Sequence, residues 1–139
     1  MIFPGNVSWP SSVVTVKVPA HPDFVASIRA MSRSVAVLAD LALEDAEELQ
    51  MAVDESAILL LPLVDDAGSA ESRMLTATFE VEEGCVGIVM SAPCRPGSAV
   101  DRTGMPWMML TAIDAEVSVS SQGGEAAIKV TRRREDISS

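Results

Sequence analysis

Between Leu75 and Val81 the chain alternates, with Leu75, Ala77, Phe79 and Val81 apolar and Thr76, Thr78 and Glu80 between them. That period of two predicts a half-buried strand. Val13 to Val18 is β-branched except for Lys17, puts Val14, Val16 and Val18 on one face and is ended by Pro19, a second strand signal. From Pro22 the period changes. Phe24, Ile28, Met31, Val35 and Leu38 follow one another at steps of four and three, with Arg29 and Arg33 one turn apart off the stripe, which predicts a helix with one buried face. After a short turn around Asp40, a second helix begins beyond Leu43 with Glu44, Asp45, Glu47 and Glu48 and runs until Pro62. Early acids suit the positive end of a helix, and proline removes a backbone donor. Ala46, Leu49, Val53, Ala57 and Leu60 form its apolar stripe, and Glu55 lies on a flank of it.

The second half is more broken. Residues 64–72 are rich in Asp, Gly, Ala and Ser and read as an exposed loop. Glu82-Glu83-Gly84 turns the alternating strand into Cys85–Ser91, apolar on both faces, so the two form a hairpin. Residues 92–105, with Pro93, Pro96, Gly97 and Gly104, make a loop of unusual length. Pro106 opens a short helix through Trp107, Leu110 and Ile113, and Val117–Ser120 pairs with Ala126–Thr131 across Gln122-Gly123-Gly124. The expected organisation is a flexible arm over 1–12, one domain over 13–133 and a tail over 134–139. The element order predicts an α+β two-layer sandwich, helices on one face of a mixed, mainly antiparallel sheet.

Composition narrows the function. A chain of 139 residues suits one domain. Ten Lys+Arg against twenty Asp+Glu give a net charge of -10, which argues against nucleic acid or an anionic membrane as partner and fits a basic protein partner or simple solubility. The run Arg132-Arg133-Arg134 meets Glu135-Asp136 at once and does not reverse this. No stretch approaches the roughly 20 apolar residues of a membrane span, and the start lacks a basic region followed by an apolar core. A soluble, cytoplasmic protein is expected. Two cysteines, Cys85 and Cys94, with a single histidine, His21, give neither a disulfide framework nor a metal cluster. The methionines read chiefly as core filling, and Trp107 as packing at the start of an apolar helix.

The strand Val13–Val18, the helix after His21-Pro22 and above all Asp45-Ala46-Glu47-Glu48-Leu49-Gln50-Met51-Ala52-Val53-Asp54-Glu55 resemble the anti-sigma-factor serine/threonine kinases, the RsbW-like branch of the GHKL, or histidine-kinase-like, ATPases. Pro106-Trp107-Met108-Met109-Leu110-Thr111-Ala112-Ile113-Asp114-Ala115-Glu116-Val117 is similar to the final helix and strand of the short actinobacterial members. The resemblance implies a Bergerat-type fold that holds Mg-ATP under a lid and phosphorylates a serine of an anti-anti-sigma (STAS-type) partner. It also implies sequestration of a sigma factor and a homodimer.

By the same resemblance Glu55 takes the place of the general base, Arg29 and Arg33 stand on the helix nearest the sigma factor, and Gly104 is what remains of the glycine-rich phosphate stretch. The sequence departs from the family at three places. Leu59 stands where an asparagine ligand to magnesium is expected, and an aliphatic side chain offers no oxygen to a hard cation. Ser91-Ala92-Pro93-Cys94-Arg95-Pro96-Gly97 carries no adenine-binding aspartate and no D-x-G-x-G pattern. The glycines before the last helix are reduced to Gly104 alone. The leading expectation is a regulator that binds a sigma factor and is countered by an anti-anti-sigma protein. One alternative is an active kinase with substitute magnesium ligands, Asp54 or the acids of 64–72. The other is an oligomerisation module without catalysis.

Overall fold

The computed structural model describes residues 12–134. Most of the expected arm and tail therefore lies outside the described residues. Within them the strands are β1 (Ser12–Pro19), β2 (Met74–Glu82), β3 (Cys85–Pro93), β4 (Ser118–Gln122) and β5 (Glu125–Arg133), and the helices are α1 (Val25–Leu38), α2 (Leu43–Leu60) and α3 (Met105–Ile113). The five strands form one sheet in the order β1-β2-β3-β5-β4, and every pairing is antiparallel.

Alternation along the strands decides which face is covered. Leu75, Ala77, Phe79 and Val81 of β2 are buried, as are Val86, Ile88, Met90 and Ala92 of β3 and Ala126, Ile128 and Val130 of β5. All three helices pack on that face, giving a two-layer α+β sandwich. The largest of these side chains, such as Phe79, Ile88 and Leu49, each contribute about 1.5–3 kcal/mol by leaving water. The opposite face carries Thr15, Thr76, Thr78, Glu80, Ser91 and Lys129, and no helix among the described residues covers it. β3 runs to Pro93, so the long loop is shorter than its sequence suggests.

α1 buries Val25, Ile28, Ser32, Val35 and Ala36, so its buried stripe is shifted from the predicted one; Phe24 and Leu38 are exposed. Ser32 tolerates burial because its hydroxyl donates to the Arg29 carbonyl at 2.7 Å. The helix ends in a Schellman motif: Asp40, at φ 58°, donates its N–H to Val37 O, and Leu41 N–H donates to Ala36 O. An aspartate holds the left-handed position that glycine usually takes. The turn is anchored from two sides. Ala39 O accepts from Gly84 N–H at 2.7 Å, and the Arg134 guanidinium reaches the Asp40 carboxylate at 3.0 Å.

α2 is the central helix, flanked by α1 on one side and α3 on the other. It buries Leu49, Val53, Ala57 and Leu60 of its predicted stripe, while Ala46 is only half-buried. On that same buried face lies a carboxylate. Asp45, only 2% exposed, accepts from Arg132 Nε at 2.7 Å. Arg132 Nη1 stands 3.0 Å from Glu48 Oε2, an ion pair without hydrogen-bond alignment, and donates to Ile113 O at 3.4 Å. The start of α2, the end of α3 and the end of β5 thus meet on one guanidinium, and α3 must run antiparallel to α2.

Removing one partner of such a buried pair strands the other without water. Arg132→Ala is expected to cost about 3–5 kcal/mol, and Arg134→Ala, whose partner Asp40 is exposed, less than about 1 kcal/mol. Urea unfolding of the two variants checks this; equal losses would show that the Arg132 fork does not clamp the layers.

Candidate functional site

α2 advances about 100° per residue, so Asp54 and Glu55 occupy different shoulders of its outward ridge. Asp54 faces α1, where Arg29 Nε donates to Asp54 Oδ1 at 2.7 Å. Glu55 is on the α3 shoulder, half-buried, and makes no hydrogen bond or ion pair among the described residues. One turn on, Leu59 is 6% exposed and belongs to the main core. The side of α2 on which a metal ligand is implied is filled by hydrocarbon.

The segment after β3 closes over the same end of α2. Arg95 N–H donates to Leu63 O at 2.9 Å and its guanidinium to Val64 O at 3.0 Å, while Cys94 N–H donates to Gly124 O. Val100 is buried in the main core. These contacts fasten Arg95 to the turn after α2, Cys94 to the turn between β4 and β5 and Val100 to the core, in the segment where the resemblance implies a lid. Beyond Val100, Asp101 accepts from the Thr103 N–H at 2.8 Å and from its hydroxyl at 2.6 Å, which hold its carboxyl below the usual carboxylate range. Gly104, the residue before α3, has φ -96° and ψ 177°, an extended conformation open to any residue. A methyl group built there would stand 3.4 Å from Asp101 Oδ2. An anion approaching Gly104 meets an ionised carboxylate first.

The residues expected to serve one site are thus distributed over three places. Arg29 and Asp54 neutralise each other between α1 and α2. Glu55 stands alone on the far shoulder, and Gly104 neighbours Asp101. Arg33 is exposed on α1 and has no ion partner among the described residues. Of the acids in the 64–72 loop, Asp65 accepts from Ala67 N–H, and no group of three or more His, Cys, Asp or Glu among the described residues is arranged to hold a metal. Set against Mg-ATP, the residues present supply neither the oxygen at position 59 nor an uncharged approach to Gly104. They do not fit that group.

Three shallow cavities lie elsewhere. One of about 290 Å³ sits on the uncovered sheet face among Glu80, Cys85, Lys129 and Arg133. Burial there raises the Cys85 thiol above its ordinary pKa and keeps it protonated at neutral pH. A second, of about 440 Å³, opens beside Asp114, Glu116 and Ser118, and a third, of about 360 Å³, lies between His21 and Arg73. None of the three is lined by Asp54, Glu55 or Gly104. Trp107 is half-buried against the core with the Arg102 guanidinium 5.4 Å from its ring.

Sequence reasoning missed two features. The first is Arg132. Strand alternation from Ala126, Ile128 and Val130 puts it on the covered face, and that signal was present. The second is the methionines: Met90 is buried, but Met51, Met105 and Met108 are exposed and do not fill the core.

No family model matches the sequence, and no curated protein matches it. Among solved structures it is similar to the RsbU and RsbW domains of Rv1364c from Mycobacterium tuberculosis, with a TM-score of 0.69 and 14% identity over 89% of this chain. The chain spans about a third, 33%, of the length of that protein. Such a likeness shows the fold: the chain is an α+β sandwich of the kind found there. No helix among the described residues is long and apolar enough to cross a membrane.

The packing of Leu59 gives a direct check. Leu59→Asn, which restores the side chain implied by the family, buries an amide among hydrocarbon and is expected to lower stability by about 2–4 kcal/mol. An unchanged denaturation midpoint would show that position 59 opens to solvent and that a ligand could enter beside it.

Proposed function

We propose that this domain is an anti-sigma-factor-like regulator which binds a sigma factor directly, is countered by an anti-anti-sigma partner, and does so without using ATP. The fold shared with the RsbU and RsbW domains of Rv1364c supports the regulatory class. The single observation that carries the nucleotide-independent part is Leu59, 6% exposed in the core where a magnesium ligand would be needed. Binding a protein asks only that the sandwich present a stable surface, and no group need transfer. A net charge of -10 adds a field that attracts a basic partner segment.

The kinase alternative requires Glu55 to act on a hydroxyl beside bound Mg-ATP. Glu55 is half-buried and has no ion partner among the described residues, as a base would be, but Asp54, the nearest substitute magnesium ligand, is already taken by Arg29 at 2.7 Å. The reading therefore predicts that a sigma factor of the host co-purifies with the domain in stoichiometric amount, equally with Mg-ATP and with EDTA. If no sigma factor or anti-anti-sigma protein is retained, the regulatory reading is wrong. If phosphate passes from ATP to a serine of the anti-anti-sigma protein and the transfer is lost in Glu55→Ala, the kinase alternative replaces it.

A further inference from the structure

The outward ridge of α2 carries Glu44, Glu47, Met51 and Ile58, spaced so that all four lie on one stripe. Met51 is 37% exposed and Ile58 53%. On α3, Met105 is 65% and Met108 59% exposed. The Arg132 fork sets how the two helices align. Ile113 at the end of α3 meets Asp45 and Glu48 at the start of α2, and Met105 lies about 12 Å back along the α3 axis at about 1.5 Å per residue. In an antiparallel pair this carries Met105 and Met108 alongside the Met51–Ile58 stretch of α2. Met51 and Ile58 thus share one exposed stripe of α2 and Met105 and Met108 the exposed side of α3, with half-buried Glu55 on the shoulder between the two helices.

Acidic charge dominates around these side chains, with half-buried Glu55 among them on α2. Glu44 and Glu47 extend it toward the start of α2 and have no ion partners among the described residues. Arg102, stacked on Trp107 just before α3, is the cation at the other end. Methionine is unbranched and polarisable, suited to fit an apolar ridge it was not packed against in advance. Exposed apolar side chains on a helix pair accompanied by acids match a partner helix that carries an apolar stripe and basic residues beside it.

We propose that the α2–α3 face docks an amphipathic helix of a partner protein, its apolar stripe on Met51, Ile58, Met105 and Met108 and its lysines or arginines over Glu44 and Glu47. This rests on the reading of the domain as a protein-binding regulator, and it locates the contact on a face away from Arg29 and Arg33.

The test uses the full chain and a fluorescein-labelled synthetic peptide, leucines at helical spacing on one face and lysines clustered toward one end, followed by anisotropy. A peptide of the same residues in shuffled order is the control. The patterned peptide should bind, the shuffled one should not, and added salt should weaken the complex. Ile58→Asp combined with Met108→Asp should weaken it roughly tenfold or more, and Glu44→Lys with Glu47→Lys should reduce the salt dependence. Val37→Asp, exposed on α1, should change nothing. All these positions face solvent, and thermal unfolding of each variant confirms that it folds. Equal binding of both peptides, no binding of either, or full affinity in the Ile58/Met108 double variant would overturn the proposal. So would sedimentation showing a dimer that the double variant dissociates, since the occupant would then be a second copy. A host sigma factor that binds the double variant undiminished would sink this docking face and leave the regulatory reading standing. Peptide binding without any sigma factor would do the reverse.

Discussion

The arrangement of the helical layer depends on one guanidinium. Arg132 reaches across from the last strand to the buried Asp45, to Glu48 and to the carbonyl that ends α3. Burying a charge is costly unless it is paired, and among the described residues Arg132 is the cation on Asp45. The pair therefore acts less as a source of net stability than as a specification. A shift of α2 along its axis, or of α3 against α2, would strand a carboxylate among Leu49, Val53 and the sheet. From that constraint follows the antiparallel pairing of α2 with α3, the end of α3 lying beside the start of α2. The site's geometry is set by a contact outside the site.

Most of the architecture was legible because it rests on local periods. The alternation of Leu75, Ala77, Phe79 and Val81 predicted which face of β2 is buried, and the stripe of Leu49, Val53, Ala57 and Leu60 did the same for α2. The turn at Asp40 was visible as a break in period, although its Schellman geometry was not. What the sequence hid was pairing between distant residues. Arg132 and Asp45 are 87 positions apart, and nothing local says that a charged residue on a buried stripe has found a partner. The run Arg132-Arg133-Arg134 looked like one basic cluster, but strand alternation sends its members to opposite faces. The ends of α1 misled for a related reason: Phe24 and Leu38 satisfy the helical spacing but stand just before the helix and at its last residue, both exposed.

The candidate site was legible by position and not by chemistry. Glu55 was marked by its neighbours in sequence, and the structure leaves it half-buried without a partner among the described residues. The residues around it point elsewhere than nucleotide. Leu59 contributes to the core, Asp54 is neutralised by Arg29, Arg95 is tied to the turn after α2, and Asp101 holds negative charge beside Gly104. Each of these substitutes packing or like charge for an interaction that Mg-ATP would require. A fold can keep its layers while its ligand chemistry is replaced, because the layers are specified by burial and the ligand by a few polar atoms.

The most direct test is a calorimetric titration of the purified domain with ATP, with and without magnesium. The account predicts no binding heat and no thermal stabilisation up to millimolar nucleotide in either condition. Saturable, magnesium-dependent binding would contradict it, showing that the segment over α2 opens and that other side chains supply the oxygens Leu59 lacks.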